Sequence, residues 1–231
     1  MKNIIMLFLL LLTFLYSCEE PAFVGRRSDC SFNKCKDGLV CKKDVCVDVI
    51  VDVPDPDFKA CLIKDIKEDN RTSDDAEFYL NLTEVYLYDA KNLWYVNCSK
   101  LANPNNDYSN MSSIEGIQYF ENLLGFDITS KTITSIKQLE NLTTLKGITL
   151  QTDNLTDISD LKNLINLETL DIISSVLTDI SVLSNFKKLG FVVLILPQLE
   201  DISPLKDLVS IYDLSLFKTK VNNLSPLEKL T

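Results

Sequence analysis

Residues 145–166, LKGITLQTDNLTDISDLKNLIN, run directly into residues 167–188, LETLDIISSVLTDISVLSNFKK, and the two align without a gap at a step of 22. The step extends in both directions, since Ile114, Ile136, Ile158, Ile180, Ile202 and Leu224 form one column at that spacing. Leu145, Leu167, Leu189 and Ile211 form a second column, Ile148, Leu170, Val192 and Leu214 a third, Leu150, Ile172, Leu194 and Leu216 a fourth, and Leu155, Leu177, Leu199 and Val221 a fifth. Within each unit the apolar residues first alternate in twos, as in a half-buried strand, and then recur in threes, as in a tight helical turn. One unit has apolar residues on a single side and encloses nothing, so successive units must stack and share a core. The expected architecture is an α/β solenoid.

The turns carry their own signals. Ser159, Ser181, Ser203 and Ser225 each stand at the start of a helical stretch, with Pro204 and Pro226 following two of them, and are read as N-caps. Asp157, Asp179 and Asp201 stack just ahead of these serines, where a carboxylate suits the positive end of a helix, a reading preferred to a calcium ladder. Before the regular array, Leu82, Val85 and Leu87 match the strand pattern once. Leu82 lies 41 residues before Leu123, 19 more than one step, so an insertion is expected, placed at Asn97 to Ser113, a stretch rich in Asn, Asp and Ser.

The beginning of the chain reads as an address. Lys2 supplies positive charge, and Ile4 to Tyr16 is almost unbroken apolar sequence ending in Leu15-Tyr16-Ser17-Cys18. This layout is that of an export signal, and the apolar run is shorter than the roughly 20 residues that span a bilayer as a helix. Leu15 to Cys18 resembles the bacterial lipobox, although Tyr16 departs from the small or aliphatic residue usual at its place. That resemblance implies cleavage before Cys18 and a lipid on its sulfur. Seven cysteines then leave an even set of six, Cys30, Cys35, Cys41, Cys46, Cys61 and Cys98, as expected for disulfides in an exported chain. The first four crowd into one short segment and read as a disulfide knot in preference to a zinc site; their pairing is open, and Cys61 with Cys98 follows by elimination.

With the repeat in hand, the chain resembles the bacterial internalin-like leucine-rich repeats with a 22-residue unit, from about Leu82 onward. Val53 to Ile63 is similar to the short helical segment that often precedes such arrays. The resemblance implies parallel strands on a concave face, short helical or 3-10 turns on the convex face, and a role in adhesion or host-protein recognition. The family often places Asn where the strand turns away; Lys131, Asp153, Ser175, Pro197 and Thr219 occupy the corresponding places here, so no continuous asparagine ladder is expected. The implied organisation is a signal peptide over 1–17, a tether over 18–29, a disulfide-rich segment over 30–46, an N-terminal cap with a degenerate first repeat and the insertion over 54–113, and repeats over 114–231. The repeats make five full units with the last one cut short.

Composition narrows the function. The 231 residues carry a net charge of −10, which disfavours a phosphate backbone, and contain no histidine, which removes His-based dyads and His-ligated zinc. No GxSxG, GxGxxG or phosphate loop occurs, so neither enzyme activity nor a cofactor or metal is expected. In the inferred register the outward strand positions begin small and polar, at Gly125, Asp127, Thr129, Gly147, Thr149 and Gln151. They then change to Ile173, Phe191, Val193, Ile195 and Phe217, an apolar patch rimmed by Asp171, Asp213 and Lys218. Such a patch marks a contact surface. The expected function is therefore that of a non-enzymatic, lipid-anchored cell-envelope protein that binds a protein partner through this face. The alternatives are a truncated or self-associating envelope protein, pairing weakly through its C-terminal end, and a eukaryotic secreted receptor fragment or enzyme inhibitor.

Overall fold

The step of the sequence becomes the pairing step of a sheet. The computed structural model describes residues 40–42, 45–47, 50–69, 82–99 and 108–230. The chain divides into two units. To the first, Met1–Ile50 with Tyr86–Tyr88, belong an antiparallel ribbon of β1 (Val40–Lys42) and β2 (Val45–Val47) and an isolated bridge from Ile50 to Tyr86. The second unit contains a six-stranded parallel sheet in sequential order: β3 (Tyr95–Cys98), β4 (Gly125–Ser130), β5 (Gly147–Thr152), β6 (Thr169–Ser174), β7 (Phe191–Ile195) and β8 (Asp213–Phe217). Gly125, Gly147, Thr169, Phe191 and Asp213 pair in turn, so from β4 onward every register partner lies 22 residues away.

Between strands the chain returns through 3-10 turns, among them Lys137–Leu139, Ser159–Asn163, Ser181–Asn185 and Ser203–Leu205. The three-residue spacing of the apolar side chains selects this geometry. Leu161 N–H donates to Ile158 at 3.0 Å, Leu164 to Leu161 at 2.8 Å and Leu167 to Leu164 at 3.1 Å, and three residues per turn keep all four side chains on one side. The columns named above are buried through Ile211; Met111 and Ile133 extend the one that contains Leu155, and two further columns join, Ile117 with Leu139, Leu161, Leu183 and Leu205, and Phe120 with Leu142, Leu164, Phe186 and Leu208. At β8 the columns change, and Leu214 and Leu216 are half-buried.

Two turn expectations are corrected. The serines are the first residues of the 3-10 turns, not their caps, and none of these turns has a side-chain bond from its N-cap residue. The acceptor stands two residues earlier: Asp157, Asp179 and Asp201 take the N–H of Ser159, Ser181 and Ser203 at 2.7–2.8 Å, and Asn223 takes that of Ser225 at 3.0 Å. A short side chain reaches the N–H two residues on because its oxygen stands in for a backbone carbonyl. These carboxylates are thereby committed to the backbone. The corner residues also lie one position earlier than expected, at the buried Ser130, Thr152, Ser174 and Leu196. Ser130 Oγ accepts Thr132 N–H at 3.1 Å and Ile133 N–H at 3.0 Å, and Ser174 Oγ does the same for Val176 and Leu177. Asparagine bridges the repeats elsewhere, on the convex side, where Asn154, Asn163 and Asn166 donate to the carbonyls of Lys131, Glu140 and Thr143.

The first strand of the array is also not where the sequence put it. Leu87 opens a short helix, α2 (Leu87–Asn92), and the strand that pairs with β4 is Tyr95–Cys98, thirty residues before it by register. The insertion is therefore 8 residues, the excess of that spacing over one step, rather than 19. Leu93, Val96 and Cys98 occupy the columns of Leu123, Phe126 and Ile128, and all are buried. Cysteine fills an apolar column here as well as forming a bond.

Helix α1 (Pro56–Asp69) packs on β3 through Phe58, Cys61, Leu62 and Ile66, and the Cys61–Cys98 disulfide joins them with a Cα–Cα distance of 5.6 Å. Pro56 is in the first turn, and Asp55 Oδ1 caps the helix by accepting Asp57 and Phe58 N–H, both at 3.0 Å. The other carboxyl oxygen of Asp55 takes Ser112 N–H at 2.7 Å, Ser112 Oγ–H at 2.9 Å and Ser113 N–H at 3.2 Å. At the open edge of β3, Asp65 accepts Asn97 N–H at 2.6 Å while Lys64 donates to Asn97 O at 3.0 Å. The helix thus satisfies an edge that is otherwise a template for pairing with another chain. Among the described residues no helix is long and apolar enough to cross a membrane, and no group of three or more Cys, Asp or Glu is placed to hold a metal ion. The signal segment, Cys18, the tether, Cys30, Cys35 and the side chains of Cys41 and Cys46 lie outside the described residues.

Burial by itself raises the Asp55 carboxyl, but the donors from Phe58, Ser112 and Ser113 outweigh it and hold the group below its ordinary value of 3.8. A depressed folded value means stabilisation that is complete above 3.8 and lost as pH falls through the lower, folded midpoint. Asp65 works the other way, because burial raises it despite Lys64 and the Asn97 N–H. Asp55→Ala should lower the free energy of unfolding in urea by about 2–3 kcal/mol near pH 6. The deficit should shrink toward pH 3; one that did not change with pH would contradict the assignment.

Candidate protein-binding face

Because a strand alternates its side chains, each residue between two core columns points away from the core, and the register assembles these into rows across the sheet. The first row is Tyr95, Gly125, Gly147, Thr169, Phe191 and Asp213. The middle row is Asn97, Asp127, Thr149, Asp171, Val193 and Ser215, and the third is Thr129, Gln151, Ile173, Ile195 and Phe217. Of the seven expected face residues, Ile173, Ile195 and Phe217 are therefore consecutive in one row. Val193 lies beside Asp171 in the next, and Phe191 beside Asp213 in the first. Ile173, Phe191, Val193 and Ile195 are half-buried, and Phe217 is 55% exposed.

The opposite half of the face is polar and includes residues that the sequence reading missed with their strand. Tyr95 donates its hydroxyl to Asp127 Oδ2, and Asn97 Nδ2 donates to the Tyr95 hydroxyl at 3.3 Å. The Tyr95 ring lies over Gly125, where an added Cβ would come within 2.4 Å of it, so only glycine permits this approach. The same device recurs at the other end, where a Cβ added at Gly190 would come within 2.5 Å of the Tyr212 ring. Thr129 Oγ1 donates to Gln151 Oε1 at 3.3 Å. Burial, and secondarily the charge of Asp127, push the Asp171 carboxyl above its ordinary range. Its Oδ1 is shielded from solvent and has no hydrogen-bond partner.

Six strands at about 4.8 Å and three rows at about 7 Å make a face on the order of 24 by 14 Å, or roughly 340 Å². A standard interface takes about 800 Å² from each partner, so the rows by themselves are too small and their margin has to contribute. Where the strands begin, that margin carries Trp94, 60% exposed, Leu124, and Tyr212, 80% exposed, together with a Lys146–Glu168 ion pair at 3.0 Å. Exposed Trp and Tyr are the side chains that most often dominate binding energy.

Parallel strands in sequence order along one face, 3-10 turns along the other and leucine columns between them decide the fold. It is a leucine-rich repeat solenoid. Among solved structures, an internalin of Listeria monocytogenes matches with 25% identity and a TM-score of 0.52, over 77% of this chain and 54% of that one. The functional domain of InlJ from the same bacterium matches with 18% identity and a TM-score of 0.55, over 77% of this chain and 35% of that one. A leucine-rich repeat protein of Leptospira interrogans matches with 20% identity and a TM-score of 0.52, over 62% and 36%. The last two show the fold alone, and this chain spans about half, or less, of the length of each. No protein-family model matches the sequence, and no curated protein does.

The leucine-rich repeat places Asp171 at the boundary between the polar and apolar halves of its face, and its electrostatics are measurable. In an NMR titration of side-chain carboxyls, Asp171 should deprotonate above 3.8. Asp127→Asn should lower its midpoint without restoring it fully, since burial, the larger cause, remains. A midpoint at or below 3.8 in the unmodified chain would refute this picture of the face.

Proposed function

We propose that this chain is an exported bacterial protein, held at the cell envelope by lipid on Cys18, that recognises a protein partner with the strand face of its repeats. The observation that carries the binding half is the row Ile173, Ile195, Phe217, with Phe191 and Val193 alongside, on three adjacent strands. None of these side chains belongs to a core column, so the fold has no need of them, and apolar residues gathered in this way with Asp171 and Asp213 at their rim suit a contact surface. The likeness to an internalin supports the same reading. For export, the support is the apolar run from Ile4 to Tyr16 before Cys18, together with the Cys61–Cys98 disulfide, a bond that oxidising compartments favour.

A second reading, weak self-association through β8, is favoured by the half-buried Leu214 and Leu216 in the last strand of the sheet and by the exposed Tyr212 beside them. Affinity capture from envelope and host-cell extracts distinguishes the two. A protein retained by the unmodified chain and lost by Phe191→Asp with Ile195→Asp, at unchanged circular dichroism, is the expected result. Retention of this same chain, insensitive to those substitutions, would favour self-association, and identical capture of other proteins by both forms would exclude the face. Anchoring has its own test: growth with a palmitate analogue should label the chain, and Cys18→Ser should abolish the label. Persistent labelling of Cys18→Ser would refute the lipid site.

A further inference from the structure

We propose that the partner presents a basic side chain, lysine or arginine, to Asp171 and Asp127, and that an apolar side chain next to it on the same partner lies on Ile173, Val193 and Ile195. The inference rests on the protein-binding reading of this face and adds the chemistry of what binds there. The surface carries a mismatch at this place. In the middle row Asp171 stands between Thr149 and Val193, and two residues further along its own strand is Ile173, so a carboxylate borders directly on the apolar patch. One of its oxygens, Oδ1, is shielded from solvent and accepts no hydrogen bond. The carboxylate is therefore incompletely compensated by its own chain, and because Asp171 as a whole is only half-buried, a cation arriving from the solvent side gains a charge-assisted contact with it.

The surrounding charge sets the sign of that donor. The three rows contain Asp127, Asp171 and Asp213 and not one Lys or Arg. At the margins Lys146 is already paired with Glu168, and Lys218, which follows β8, lies two strands from the one that carries Asp171. Asp127 lies two strands from Asp171, about 9.6 Å across the sheet, and its Oδ2 is taken by the Tyr95 hydroxyl. Thr149 stands on the strand between them, so a cation above it is attracted by both carboxylates, whereas an acidic group there meets two like charges. The same arithmetic disfavours a second copy of this chain, whose net charge is −10. The long aliphatic stem of Lys or Arg also suits the site, because it can lie along Ile173 while its head reaches Asp171.

The test is selection of phage-displayed random peptides on the intact, disulfide-bonded chain. Expected is enrichment of peptides in which Lys or Arg is next to, or one residue from, an aliphatic or aromatic residue. The best such peptide should bind at least about tenfold more weakly to Asp171→Asn and to Ile195→Asp. Replacing its basic residue by norleucine should cost the same factor on the unmodified chain and little on Asp171→Asn, a comparison that separates a direct pairing from a general disturbance of the fold. Peptides that bind through Ile195 but lack a basic residue, or whose basic residue is indifferent to Asp171→Asn, would overturn the inference while leaving the face a binding surface. If no selected peptide depended on Ile195, the protein-binding reading itself would fail.

Discussion

A repeat with apolar residues on one side cannot hold itself together, and every other feature of this protein depends on how that deficit is met. The solution is translational: side chains 22 residues apart meet in the same column, so each turn buries its leucines against those of the next. Because the contacts are between neighbours, the energy is spread along the array, and a defect at one turn propagates only to the next. Thr152 shows how much is tolerated. It occupies the corner position that Ser130 and Ser174 use to accept backbone N–H groups, yet its hydroxyl is buried without a partner.

Stacking solves the interior and leaves the ends exposed. At the N-terminal end the answer is specific: α1 covers β3 with Phe58, Leu62 and Ile66, Lys64 and Asp65 engage the two backbone groups of Asn97, and a disulfide ties the pair. Asp55 completes the arrangement by serving at once as the cap of α1 and as the acceptor for the segment at Ser112 and Ser113 that leads toward β4. One carboxylate therefore couples the covering helix to the array it covers. This also explains why its ionisation is favoured in the folded chain although it is largely hidden from water.

The outward face inherits the precision of the columns without sharing their constraint. Its residues are held in register to within a strand spacing, yet nothing in the packing dictates what they are. It is on this free surface that the chain becomes asymmetric, with hydroxyls, amides and Asp127 toward β3, and Ile173, Val193, Ile195 and Phe217 toward β8. The glycines at 125 and 190 make room for Tyr95 and Tyr212 at opposite ends of the sheet. Those two rings and Trp94 extend a face that is otherwise too small for a standard protein contact.

By itself the sequence determined the solenoid, its step, the strand and turn halves of each unit, and the residues of β4 to β8 that face outward, because strict periodicity leaves one arrangement that buries every column. It also singled out Cys61 with Cys98. What it misplaced was the start of the array, since Leu82, Val85 and Leu87 satisfy the strand pattern as well as Leu93, Val96 and Cys98 do, and only pairing with β4 chooses between them. The capping role of Asp157, Asp179 and Asp201 was likewise decided by backbone geometry, which brings each carboxylate to the N–H two residues on. Tyr95, Asn97, Trp94 and the unpartnered oxygen of Asp171 became visible only in the tertiary structure. Their positions depend on which strands lie side by side, and hydrogen-bond satisfaction is a property of neighbours in space that no local pattern encodes.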